Sequence, residues 1–232
     1  MKEINLGGRK FFVIELTEPV GEDSEPYPGD PRIKKEIFSE IKKTGYEHYT
    51  YKIGDHSFHP HADAPKHQNI LGGSIESFGL DFFFNEALLI DLSEIGESAG
   101  GVNYITEVKP EHLMQFSEKL KEKGAVVIRT GYDKWIEANK KHNPEKLPYL
   151  TKEAAGFIAG FANIRVIGTD SLTVDRAGCH ESHKALKEKM IVECMVNLYS
   201  IKKDDFFLIS APIRIKEATG APVAAYAIIE KD

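Results

Sequence analysis

Pro110-Glu-His-Leu-Met-Gln-Phe-Ser-Glu-Lys-Leu-Lys-Glu-Lys-Gly124 runs directly into Ala125-Val-Val-Ile-Arg-Thr130. Leu113, Phe116 and Leu120 recur at helical spacing, Pro110 suits a first helical position and Gly124 suits a C-cap. The first part therefore predicts a helix over Pro110–Lys123, and the apolar run after it a buried strand. The pattern repeats: Thr151 caps a helix over Lys152–Gly160, with Glu153 in its first turn, and Ile164–Gly168 follows as a strand. Two helix–strand units in succession predict an α/β protein.

Working outward, Phe82–Leu92 is strongly apolar and reads as a further buried strand. Short strands are expected at Phe11–Leu16, Ile33–Ile41 and His48–Ile53, and two more at Phe206–Ala211 and Val223–Ile229, joined through a glycine-containing loop. Asn69–Leu80 reads as loop with one short helical turn, Gly96–Gly101 as a flexible loop, and Tyr27-Pro-Gly-Asp-Pro31 as a fixed turn. No dinucleotide, P-loop or nucleophile-elbow glycine pattern is present.

The 232 residues suffice for one substantial core, which predicts a single domain over 1–232. A formal net charge of -6 carries no nucleic-acid signature. Cys179 and Cys194 lack paired spacing, so neither a disulfide framework nor a cysteine zinc knot is expected. The opening ten residues have no apolar signal core, and no run approaches the ~18 apolar residues of a membrane span, so a cytoplasmic protein without a membrane partner is expected.

The densest chemistry lies in Asp55-His-Ser-Phe-His-Pro-His-Ala-Asp-Ala-Pro-Lys-His67. A single histidine is usually a surface or hydrogen-bonded residue; His56, His59, His61 and His67 beside Asp55 and Asp63 point instead to a metal or acid–base site. His59, His61 and Asp63 alternate, so an extended backbone would aim all three to one side. Pro60 and Pro65 argue against a helix and leave an edge strand or a rigid loop. Imidazole and carboxylate donors together suit zinc or manganese.

This stretch resembles the motif His-x-Gly-Thr-His-x-Asp-x-Pro-x-His of the cyclase family of metal-dependent hydrolases, which includes bacterial kynurenine formamidases and isatin hydrolases. His61, Asp63, Pro65 and His67 stand at the family's spacing, whereas Ser57 replaces the first histidine and His59-Pro60 the Gly-Thr. Leu16-Thr-Glu-Pro19, the Tyr27–Pro31 loop, Arg129-Thr-Gly-Tyr-Asp-Lys-Trp135, Thr169-Asp-Ser-Leu-Thr-Val-Asp175 and Gly220-Ala-Pro-Val-Ala-Ala225 extend the likeness over nearly the whole chain. Ala224 stands where the family usually has arginine.

The resemblance implies an α/β fold with a mixed β-sheet core, partly barrel-like, and helices packed outside. It implies one or two Zn2+ or Mn2+ ions held by His61, Asp63, Glu193, one of His56 and His59, and one of His180 and His183, with His183 favoured by its spacing to Leu186. His67 would act as general acid and base. The Tyr27–Pro31 loop would lie at the active-site mouth, and the Arg129 and Asp170 segments would support the pocket without touching metal. The activity implied is hydrolysis of a small amide or lactam, N-formylkynurenine being one candidate. The alternatives are a metal- or ligand-binding relative with reduced catalysis, or a cyclase or dehydratase acting on a small acid. A homodimer or homotetramer is also implied. Phe82–Phe84 suits an interface, and burial in the core accounts for it equally.

Overall fold

The structure, a computed structural model, describes residues 1–57, 59–140, 142–143 and 145–231. Strands β1 (Lys2–Leu6) and β2 (Arg9–Glu15) form an antiparallel hairpin. A second hairpin, β3 (Lys34–Ser39) and β4 (His48–Lys52), carries the one-turn helix α1 (Ile41–Thr44) between its strands. β5 (His61–Asp63) has three residues, and β6 (Phe84–Asp91) eight. β7 (Glu97–Ala99), β8 (Val102–Tyr104) and β9 (Glu107–Val108) precede helices α2 (Pro110–Met114) and α3 (Ser117–Leu120). Strands and helices then alternate as β10 (Ala125–Arg129), α4 (Tyr132–Asn139), β11 (Tyr149–Leu150), α5 (Lys152–Ala159), β12 (Val166–Thr169), α6 (Glu181–Ala185) and β13 (Met190–Glu193). The long strands β14 (Asp205–Pro212) and β15 (Gly220–Glu230) end the chain.

The main sheet runs β1-β2-β15-β14-β6-β10-β12-β13-β5, and β5 also pairs with β15. That extra pairing closes a seven-stranded barrel, parallel from β6 through β10 and β12 to β13 and antiparallel elsewhere. The mixed, barrel-like α/β architecture implied by the motifs is thus the observed one. β5 is not the edge strand or rigid loop that its prolines suggested. Pro60 and Pro65 fall just outside its three residues, so their missing N–H groups interrupt neither ladder.

Alternation along the strands builds two layers. Ala62, Ala87, Leu89, Val127, Val166 and Val192 fill the barrel interior. Leu88, Ile90, Val126, Ile128, Ile167 and Ile191 face outward against Leu113, Leu120 and Ile158 of the helices. Strands covered on both faces explain why these segments read as unbroken apolar runs. Phe83 belongs to the interior cluster. Among the described residues no helix is long and apolar enough to cross a membrane.

Thr151 caps α5 as its sequence predicts, its hydroxyl accepting the Ala154 N–H at 3.1 Å. The single helix expected over Pro110–Lys123 is instead two short ones. Phe116 leaves the helical region, and the Ser117 hydroxyl turns back to the Met114 carbonyl, a local bond that competes with helix continuation. Gly124 is correspondingly no C-cap; its N–H donates to the Glu86 carbonyl and leads the chain into β10. Gly96–Gly101, expected as flexible loop, lies mostly within the β7–β8 hairpin, where Gly100 and Gly101 supply two successive positive φ angles.

Candidate metal centre

The register of β5 against β13 creates the centre. His61 lies directly opposite Glu193, and Asp63 opposite Ile191. Because Ala62 and Val192 point into the barrel, His61, Asp63 and Glu193 project from its outer face. His61 Nε2 is 3.5 Å from Asp63 Oδ1 and 3.4 Å from Glu193 Oε2. Helix α6 lays His183 over them, with Nε2 3.0 Å from Asp63 Oδ2 and 3.5 Å from Glu193 Oε1. Glu193 is further fixed by the Val174 N–H, which donates to Oε1 at 2.7 Å. All four side chains are buried.

His56 reaches the same carboxylate, its Nε2 3.1 Å from Asp63 Oδ1. His67, at the end of a 3-10 turn over Pro65–His67, is exposed, and its ring lies 4.2 Å from that of His56 and 5.5 Å from that of His183. Two donor groups result, His61–Asp63–Glu193 and His56–Asp63–His67, each with ligand atoms within 4.8 Å of one another and with Asp63 common to both. They line a cavity of about 440 Å³ whose other walls include Tyr27, Asp30, Gln68, Leu172 and Arg176. The Tyr27–Pro31 loop therefore borders the site, as its resemblance implied.

The pairs left open by sequence separate cleanly. His56 is at the centre; His59 is not. β5 begins only at His61, so the alternation expected to include His59 stops short of it, and its ring packs 5.5 Å from His142 beside a different cavity with Val20 and Pro222. His183 is at the centre, whereas His180 is the exposed residue preceding α6 and lines the cavity. Ser57, where the family has its first histidine, is buried and donates to the Pro31 carbonyl at 3.3 Å. Cys194 is a buried residue at positive φ beside His61, and Ala224 is exposed on β15 away from the cavity.

The electrostatics call for positive charge. Burial opposes a charged His183, yet its contacts with Asp175 and Asp63 carry it up to about 11. Burial likewise opposes charge on His61, and the Asp63 carboxylate holds it well above its ordinary value. Asp63, although buried, is kept well below the usual carboxylate range by His61, His183 and His56. By contrast, burial and His142 drop His59 to about 4, in keeping with its place outside the cluster. Buried His56 Nε2 and Asp63 Oδ1 face each other at 3.1 Å, and neither finds another hydrogen-bond partner. An imidazole nitrogen and a carboxylate oxygen with no other partner, within a set of such donor atoms, fit a bound divalent cation.

Outer partners complete the arrangement. Asp175 Oδ2 is 2.6 Å from His183 Nδ1, while its Oδ1 accepts the Ser182 N–H at 2.7 Å. A carboxylate behind a ligating histidine fixes the ring and its tautomer. Asp175→Asn is expected to weaken divalent-ion binding roughly 10–100-fold without unfolding the protein, as read by chelator competition alongside a melting curve. Unchanged affinity would remove Asp175 from this role. Gly220, which β15 places against β5, was not singled out as a site residue: a Cβ there would lie 2.6 Å from His56 Nε2. Its partner is 164 residues away in sequence, so no local pattern could have shown it.

Comparison with known proteins agrees with this architecture. A kynurenine formamidase of Bacillus cytotoxicus is 26% identical over 219 residues, covering 91% of this chain and 95% of its own. Isatin hydrolase A from Labrenzia aggregata superposes with a TM-score of 0.74 at 21% identity, covering 95% of this chain and 94% of its own. A solved protein described as a potential metal-dependent hydrolase with cyclase activity superposes with a TM-score of 0.75 at 20% identity, covering 96% of this chain and all of its own. The Cyclase family model, "Putative cyclase", matches residues 14–176. The chain belongs to the Cyclase family.

Proposed function

We propose that this protein is a metal-dependent hydrolase that cleaves the C–N bond of a small amide or cyclic amide. The observation that carries the reading is the pair of donor groups sharing Asp63 at the floor of an open cavity. The names of its relatives, kynurenine formamidase and isatin hydrolase, support the substrate class. His61, Asp63, Glu193 and His183 would hold one Zn2+ or Mn2+ ion, and His56 with Asp63 would hold a second. A divalent ion there activates water and polarises a carbonyl.

Hydrolysis forms a C–O bond, breaks the C–N bond and transfers a proton to the departing nitrogen. His67 suits that transfer. It stands at the exposed rim, and partial desolvation of its ring together with neighbouring His56 and His183 lowers its proton affinity despite Asp63. Tyr27 and Leu172 line the cavity and offer apolar surface to a substrate.

Elemental analysis of gently purified protein, followed by reconstitution with Zn2+ or Mn2+ and a screen of formyl amides, isatins and lactams, tests the reading. Metal-dependent release of formate and amine from a formyl amide, or ring opening of an isatin or lactam to its amino acid, supports it; no bound metal after reconstitution overturns it. His67→Ala is expected to keep the ion beside Glu193 while turnover falls roughly a hundredfold. His67 also belongs to the second donor group, which favours a ligand role as the competing reading. Loss of one ion of two in this variant selects the ligand role; two retained ions with turnover lost select proton transfer.

A further inference from the structure

His56 enters the centre one residue earlier than the family motif would place its first histidine, and something must hold it there. Asp55 Oδ1 lies 3.0 Å from His56 Nδ1. The other oxygen of Asp55 accepts the Thr219 N–H at 3.1 Å and the Thr219 hydroxyl at 2.7 Å. The next residue, Gly220, leaves the space that the ring occupies; a Cβ would meet His56 Nε2 at 2.6 Å and the Ala62 carbonyl oxygen at 2.8 Å. One strand end thus anchors the carboxylate and clears the floor for the imidazole.

We propose that Asp55, clamped by Thr219, is a positioning residue that orients His56 toward Asp63, and that Gly220 makes this displaced entry sterically possible. An acceptor beside Nδ1 favours the proton on that nitrogen and leaves the Nε2 lone pair facing the Asp63 carboxylate. Thr219 matters because Asp55 is partly exposed: without the two donors of Thr219, just ahead of β15, a solvated carboxylate would swing free of the ring. The inference rests on the proposed metal-binding reading, since the orientation of His56 has consequences only if an ion lies beside Nε2.

Zn2+ titration of the full-length protein with a competing chelator tests it. Asp55→Ala is expected to weaken the ion beside His56 by roughly 10–100-fold while leaving the ion beside Glu193 in place. Thr219→Val should follow Asp55→Ala, and Thr219→Ser, which keeps both donors, should restore tight binding. A folding defect would not show this rescue. The double variant Asp55→Ala with His56→Ala should bind no more weakly than His56→Ala alone, because a residue acting through the ring has nothing left to orient. Unaltered Zn2+ affinity in Asp55→Ala and Thr219→Val, with the parent protein binding two ions, overturns the positioning role and leaves the proposed function standing. Absence of any ion in the parent protein overturns both.

Discussion

Asp63→Ala is expected to abolish metal binding at both donor groups in one step. Asp63 is the residue they share: Oδ1 approaches His61 and His56, and Oδ2 approaches His183. The backbone should tolerate the change, because β5 closes the barrel through main-chain pairing with β13 and β15 and alanine continues a strand. Affinity for Zn2+ should fall by more than about 100-fold, beyond the range of an outer partner such as Asp175. His61→Ala or Glu193→Ala removes a ligand from one group only and leaves His56–Asp63–His67 intact. Elemental analysis and chelator competition on all three variants, with melting curves to show that each is folded, make the comparison. Stoichiometric metal in Asp63→Ala would mean the ion lies elsewhere.

Where sequence pointed toward this candidate centre, and where it fell short, have a common cause. Residues whose roles depend on neighbours in the chain were legible: the spacing from His61 to His67, the Thr151 cap, and the apolar runs of β6, β10 and β12. Helix continuity at Phe116 was not, because Ser117 offers a backbone bond that periodicity does not register. Barrel closure was legible only through the family resemblance; periodicity does not register β5, which has three residues and prolines close by on either side. The choices between His56 and His59 and between His180 and His183 depend on contacts far away in sequence. Gly220 admits the His56 ring, and β5, running beside β13, carries Asp63 to His183. Histidine identity was local information; histidine direction was not.

The same logic separates the scaffold from the chemistry in a second large effect, Arg129→Met. Arg129 is the last residue of β10 and is almost fully buried. Its guanidinium donates to Asp91 Oδ2 at 2.7 Å and Ser93 Oγ at 2.9 Å, and to Asp133 Oδ1 at 3.3 Å. Those contacts tie the end of β6 to the first turn of α4. Asp133 in turn accepts the Tyr199 N–H, and neighbouring Asp170 accepts the N–H groups of Thr130, Gly131 and Asp133. Methionine would fill much of the volume but leave Asp133 buried without its cation, a type of change that costs about 3–5 kcal/mol. For a chain of this size that is roughly 10 °C or more in melting temperature. Burial already raises Asp133 above its ordinary value against the pull of Arg129, and losing Arg129 raises it further. The folded state then keeps a proton that the unfolded state releases, so stability falls as pH rises from the unfolded carboxylate value toward the folded one. The loss should be larger at pH 8 than at pH 5, and adding Asp133→Asn should recover part of it. Metal content per folded molecule should be unchanged, because none of these groups touches His56, His61, His183 or Glu193. A pH-independent loss would mean that Arg129 acts through packing alone, and a loss of metal without a loss of stability would place it in the site.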